Sequence, residues 1–256
     1  MKDLSVKDIG TKLCKAFCLE RMPVAIYGAS EVPKDVEHLA QIHRCLAVAM
    51  YRISGDATKN GIYLTAEEPE GCCMGGLTHV GFTPRPEYIR YFVSTGKEGV
   101  RGGAAEYLKA DPKLVDRCFA ALGEVKPPGQ YLVIQRCDSF SRAAEGIRSI
   151  ACFGNAEQVR NIAALVHFDR DEPFFPVLVP WGPACGTLIT YPAGLASNAP
   201  RDTAFLGPQD PTLNWALPAD TMAVGIPISL AIRLVHNIDH SFVALRPKVA
   251  FPDHTK

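Results

Sequence analysis

The chain has 256 residues, 47% of them apolar, and its 27 basic and 27 acidic residues cancel to zero net charge. That length suits one large domain or two closely packed halves. With no run of Lys or Arg there is no basic face for a nucleic-acid backbone or an anionic membrane, and no apolar run reaches the length of a membrane span.

The opening "MKDLSVKDIGTKLCKAF" is charged and amphipathic and does not read as a secretory signal. Nine cysteines, an odd number without an export signal, read as reduced thiols and not as a disulfide framework. A cytoplasmic location is the expectation.

The first helix is expected over about Ser5–Glu20, with Val6, Ile9, Leu13 and Phe17 at helical spacing. "PVAIYGA" follows as a strand. "DVEHLAQIHRCLAVAMYR" predicts one buried-faced helix striped by Val36, Leu39, Ile42, Leu46 and Met50, stopped at Ser54-Gly55. After the turn Lys59-Asn60-Gly61, "IYLTAEE" is a strand running into "EEPEGCCMGGLTHVGF". A helical hairpin, "PEYIRYFVSTG" and "AAEYLKADPKLVDRCFAAL", leads through "KPPG" to the strand "QYLVIQRCD".

The order then recurs. "RSIACFG" is a strand, Asn155 is placed to cap the helix "AEQVRNIAALVHF", and "FFPVLVPWG" is a strand entering a second Cys-Gly turn, "PACGTLITYPAGL". Pro227 is expected to start a last helix with Leu230, Ala231, Leu234, Val235 and Ile238 inward, and the tail after Arg246 to fray. The predicted fold is a mixed α/β single domain over residues 1–256. It has two similar strand-helix-strand halves, about 20–95 and 130–240, sharing or pairing a mixed sheet under packed helices.

"PVAIY", "HRCLAVAMYR", "CCMGG", "GNAEQVRNIAAL" and "ADTMAVGIP" stand in the order that resembles the bacterial and archaeal domain-of-unknown-function family 169, from about Pro23 to Asp239. The resemblance implies fold and boundaries and no activity. It also marks departures: relatives commonly carry Cys-Gln where this chain has Cys45-Leu46. They also carry an arginine in the turn that here reads "GPQDPTLNW", and an acidic residue where Thr221 stands.

Thiolates beside glycines suit metal or cluster binding, because a thiolate needs a cation and glycine lets backbone N–H groups reach the sulfur. Cys45, Cys72, Cys73 and Cys185 are the candidate metal ligands, although no Cys-x2-Cys pair occurs. Gly75, Gly76, Trp181 and Gly186 are the candidate cofactor-binding residues, as an anion nest and a pocket wall. Cys14, Cys18, Cys118, Cys137 and Cys152 sit in apolar or amphipathic runs and read as packing residues. His43 and His79 could serve a nucleophilic thiol. Glu67, Glu68, Glu70 and the stretch His167–Pro173 read as solvated turns, and "STGKEGVRGG", with Lys97 and Arg101, as an exposed loop.

These readings lead to a thiolate-held metal centre, an iron–sulfur cluster among the options, or a small cofactor where the two Cys-Gly loops meet. The alternatives are an enzyme acting on a small organic acid or anion through a Cys or Glu, and an accessory module whose cysteines only pack. The expected partner is a small molecule or metal, with neither nucleic acid nor membrane, and a homo-oligomer is compatible with the sequence.

Overall fold

A computed structural model describes residues 4–140, 142–213 and 215–246. The tail beyond Arg246 lies outside them. One mixed sheet contains β1 (Val24–Ala29), β2 (Glu37–His38), β3 (Gly61–Thr65), β4 (Tyr131–Arg136), β5 (Ile147–Gly154), β6 (Val177–Leu178), β7 (Ala204–Gly207) and β8 (Met222–Pro227). Their order across the sheet is β2-β3-β4-β1-β5-β8-β7-β6. β2–β3 and β6–β7 pair in parallel, and every other pair is antiparallel.

That order reads the same from both edges if β1 to β4 are exchanged for β5 to β8. The parallel pairs fall at matching places, and the central β1–β5 pair is antiparallel. The chain therefore has a pseudo-twofold axis normal to the sheet between β1 and β5. The mixed α/β fold with repeated units sharing a sheet is present, but its correspondence differs from the sequence reading. β4 completes the first unit, and the element between β2 and β3 matches the element between β6 and β7.

The helices are α1 (Val6–Ala16), α2 (Leu39–Ile42), α3 (Leu46–Gly55), α4 (Met74–His79), α5 (Ile89–Val93), α6 (Pro112–Leu122), α7 (Ala156–Val166), α8 (Ile228–Asn237) and α9 (Phe242–Leu245). Capping boxes start α1 at Ser5 and Asp8 and α7 at Asn155 and Gln158, so both helix starts follow from local sequence. α1, α7 and α8 cover one sheet face, burying Ile9, Leu13, Phe17, Ile162 and Leu234. The other face packs Leu46, Met50 and Ile53 of α3 against Leu64, Leu132, Phe153 and Leu188. The central strands are buried on both sides, which is why they read as continuous apolar runs instead of alternating ones.

Three expected elements are altered by tertiary context, and the helix expected over "AAEYLKADPKLVDRCFAAL" starts only at Pro112, behind its Asp111 cap. "FFPVLVPWG" contributes only Val177–Leu178 to the sheet, at its edge, where Phe174 and Phe175 stay exposed. "PACGTLITYP" is no loop: Gly186–Thr190 form a π-helix, with the Tyr191 N–H donating to the Gly186 carbonyl at 2.9 Å. The stripe expected as one helix over 35–52 is broken. His38 still belongs to β2, α2 ends at Ile42, and His43 is extended at φ −174°. His43 Nδ1 accepts the Cys45 N–H at 2.9 Å, satisfying a donor that an unbroken helix would have paired along its own axis.

Candidate functional site

That break sets the site. It makes Cys45 the first residue before α3, in extended conformation, with its thiol at the helix start. Cys185 holds the same place before the π-helix in the second unit. Each is followed six positions on by a tyrosine, Tyr51 or Tyr191. The pseudo-twofold partner of Cys185 is therefore Cys45, and not the Cys72-Cys73 pair that the matching Cys-Gly turns suggest. The "GCCMGG" stretch corresponds by topology to the segment after β7, which contains Asp210.

These two cysteines line the same cavity, and burial, helped by Cys45, raises the Cys185 thiol. The Cys45 and Cys185 sulfurs both lie near the Ala47 N–H, which favours their thiolates, although Cys45 makes no capping hydrogen bond. Burial outweighs that help and raises both thiols above the ordinary cysteine range, Cys185 strongly.

The adjacent pair completes the cluster. A 3-10 turn over Pro69–Gly71 ends β3's exit loop, and the Cys73 N–H then donates to the Arg44 carbonyl at 3.0 Å. This bond lays the Cys73 backbone beside the break before α3. Cys73 caps α4, its Sγ accepting the Gly76 N–H at 3.3 Å. The neighbouring buried Cys72 thiol, helped by the Gly76 N–H, favours the Cys73 thiolate: it lowers Cys73 to about 6 and drives Cys72 well above the usual thiol range. The pair thus divides its labour: Cys73 carries the thiolate and Cys72 the proton.

Gly76 makes this contact possible. A Cβ there would sit 2.6 Å from Cys72 Sγ, 3.3 Å from Leu46 Cδ1 and 3.5 Å from Cys73 Sγ, whereas one on Gly75 would meet nothing within 4 Å. Gly76→Ala is expected to cost about 2 kcal/mol by overpacking and to push Cys73 reactivity to higher pH. Gly75→Ala should leave stability within about 1 kcal/mol of the parent. Urea melts and alkylation rates on the two variants check both statements.

Cys45, Cys73 and Cys185 open onto a cavity of about 580 Å³ between α3, α4 and the segment from Tyr88 to Leu108. Its wall is mostly apolar, with Phe92, Phe119, Leu108, Leu213 and Trp181, and its polar points are Arg101, Glu106 and Asp210. Glu106 is half-buried; burial first, then Asp210, raises its carboxyl above the ordinary value. The Asp210 carboxylate accepts from the Thr212 N–H at 3.0 Å and is turned by that local bond. His79 closes the floor; burial, with Arg85 behind it, lowers it to about 4, so its imidazole is neutral at neutral pH. Thr190 Oγ1 donates to the His79 carbonyl, tying the π-helix of one unit to α4 of the other.

The sequence candidates sort clearly on this geometry. Cys45, Cys73, Cys185, Gly75, Gly76, Trp181 and His79 line the cavity. Cys72 lies behind its wall, and Gly186 packs under the Tyr191 ring. Arg101, read as part of an exposed loop, stands at the cavity with its guanidinium 4.4 Å from the Phe92 ring centre. Glu68 pairs with His38 at 3.3 Å and Glu67 accepts from Gln130, both away from the cavity. Asp169 and Arg170 of the His167–Pro173 stretch join a surface ion network with Arg233 and Asp202. Cys137 and Cys152 are buried as expected, but Cys18 is exposed. No local pattern marks Glu106, Phe119 or Asp210; only the fold brings them here.

Residues 12–237 match the model of the uncharacterised ArCR family, domain-of-unknown-function family 169. The chain belongs to this family. No curated protein and no solved structure matches it significantly. For this family member no helix among the described residues is long and apolar enough to cross a membrane. The described residues also contain no group of three or more His, Cys, Asp or Glu side chains placed to hold a metal ion. Cys45, Cys73 and Cys185 line the cavity, but burial holds Cys45 and Cys185 above the ordinary thiol range, and the neighbouring Cys72 lies behind the wall. The arrangement therefore does not by itself fit a resident metal or cluster.

Proposed function

We propose that the protein binds a small, largely apolar molecule in this cavity and engages it through the Cys73 thiolate. One observation carries the reading: Cys73 stands on the wall of an aromatic-lined cavity, with the Gly76 N–H donating to its sulfur at 3.3 Å and the Cys72 thiol on the adjoining residue. A thiolate held ionised near neutral pH and facing a cavity is a soft nucleophile or ligand, and the apolar wall supplies the binding surface.

The test is alkylation with iodoacetamide between about pH 5 and about pH 9, with each cysteine followed by peptide mass. Because the folded Cys73 is depressed relative to an ordinary thiol, it should label about tenfold faster than the other eight cysteines at pH 6.5. That advantage should shrink as pH rises and the others ionise. Uniform labelling, or a Cys73 midpoint at the ordinary thiol value, would sink the reading.

A thiolate-held metal, an iron–sulfur cluster included, is the second reading, supported only by the three cysteines Cys45, Cys73 and Cys185 that line one cavity. Anaerobic purification followed by absorption spectroscopy and elemental analysis decides it. Stoichiometric metal that is lost on Cys73→Ser supports it, and metal-free, colourless protein removes it.

A further inference from the structure

The cluster contains more thiols than ligand binding needs, and their placement is asymmetric in a useful way. Cys73 is reachable from the cavity and Cys45 stands on the same wall, its backbone held beside Cys73 by the Cys73 N–H to Arg44 carbonyl bond of 3.0 Å. The two other sulfurs are poorly placed to pair with Cys73. Cys72 is its chain neighbour, and consecutive Cα atoms are about 3.8 Å apart across a trans peptide. A disulfide prefers a span of about 4.4–6.8 Å, so ring closure between neighbours distorts the peptide. Cys185 lines the cavity too, but it is buried at the start of the π-helix, beside Ala184. Cys45 is therefore the thiol best placed to take over a bond formed at Cys73.

We propose that the cavity carries out thiol–disulfide exchange on a small, uncharged or cationic disulfide, with Cys73 as the attacking thiol and Cys45 as the resolving one. The proposal rests on the reading of the cavity as a Cys73 thiolate site. In the first step the Cys73 sulfur attacks one sulfur of R–S–S–R, forming Cys73–S–S–R and releasing RS⁻. In the second, Cys45 attacks the Cys73 sulfur, forming the Cys45–Cys73 bond and releasing the second RS⁻. The Cys45 proton passes to a departing thiolate. The disulfide gains two electrons and the two cysteines lose them, so no other oxidant is required.

The substrate class follows from the wall. Apolar and aromatic side chains fill most of it; Glu106 and Asp210 face it beside Arg101, while Lys109 and Arg85 stand over the Trp181 and Phe119 rings of its wall. Arg101 is turned toward the Phe92 and Tyr88 rings, and the attacking sulfur is itself anionic. A disulfide carrying carboxylates meets repulsion at the attacking thiolate, whereas an aminoethyl disulfide meets attraction there. Leu108, Phe119 and Trp181 line a cavity of about 580 Å³, a size that suits a small disulfide.

The experiment uses the reduced full chain under nitrogen with cystamine, bis(hydroxyethyl) disulfide and dithiodiglycolate as separate probes, followed by acid quenching and disulfide mapping by mass. The wild type should release both small thiols from each cystamine and show a Cys45–Cys73 link. Cys45→Ser should stop at a mixed disulfide on Cys73 with a single thiol released, and Cys73→Ser should react at least tenfold more slowly. Cystamine should outpace dithiodiglycolate at least threefold at low salt.

Full release from Cys45→Ser, a link between other cysteines, or equal rates for the two charged probes would overturn the proposal. Fast alkylation of Cys73 without reaction with any disulfide ends the exchange activity while leaving the cavity reading intact. A Cys73 inert to alkylation as well ends both. Melting curves of both serine variants that match the parent keep a folding defect from standing in for a chemical one.

Discussion

Arg136→Met is expected to destabilise the protein by about 3 kcal/mol, lowering its melting temperature by about 10 °C. The guanidinium at the end of β4 is nearly inaccessible. It donates to both Asp138 carboxylate oxygens, at 3.0 and 2.8 Å, and to the Ile53 and Ser54 carbonyls, at 3.1 and 2.8 Å. The last two are at the C-terminal end of α3, so one side chain fastens the site helix to the sheet and meets its negative helix end. Methionine fills similar volume but leaves Asp138 unpaired and removes two charge-assisted donors from buried carbonyls. Arg136→Lys should recover less than half of the loss, because a point ammonium cannot reach four acceptors in a planar fork. Urea titration of the three proteins checks the order, and a methionine variant within about 0.5 kcal/mol of the parent would contradict it.

Gly225→Val should be of comparable size and should reach the site. Gly225 lies in β8 under the π-helix, where an added Cβ would stand 2.7 Å from Pro192 Cγ, 2.7 Å from the Thr187 carbonyl oxygen and 3.2 Å from Leu188 Cα. Two of those atoms are backbone and cannot swing aside, so the π-helix must lift from the sheet, costing about 3 kcal/mol. Cys185 starts that helix and Thr190 ties it to the His79 carbonyl, so the same displacement disturbs both sides of the cavity. The expected signature is a lower melting temperature together with faster alkylation of Cys185, which is buried in the parent. Loss of stability with Cys185 still protected would show that the strain is absorbed elsewhere.

How far each feature could be read depends on how local its cause is. The capping boxes at Ser5 and Asn155 lie within one turn of the helices they start, and both helices form where the pattern puts them. The apolar runs of β1, β4, β5 and β8 are long enough to mark buried strands. Four-residue α2 and two-residue β2 and β6 could not be separated from their surroundings, because so few residues carry no period. The break at His43 is a choice between two satisfied hydrogen-bonding arrangements, and the Arg44 carbonyl's bond to Cys73 tips it from far along the chain.

By itself the sequence determined the mixed α/β class, the starts of α1, α7 and α8 and the set of cysteines worth following, since each is written in residues close together in the chain. Only the tertiary structure decided which cysteines are equivalent. Composition drew Cys185 toward the glycine-rich pair at Cys72 and Cys73, whereas the strand order pairs it with Cys45. The division of roles between Cys72 and Cys73 also needed the fold. Neighbouring thiols look alike in sequence, and one becomes acid and the other base only because burial and the Gly76 N–H treat them differently. Glu106, Phe119 and Asp210, drawn from three distant segments, share a cavity wall because the sheet and its covering helices bring them there.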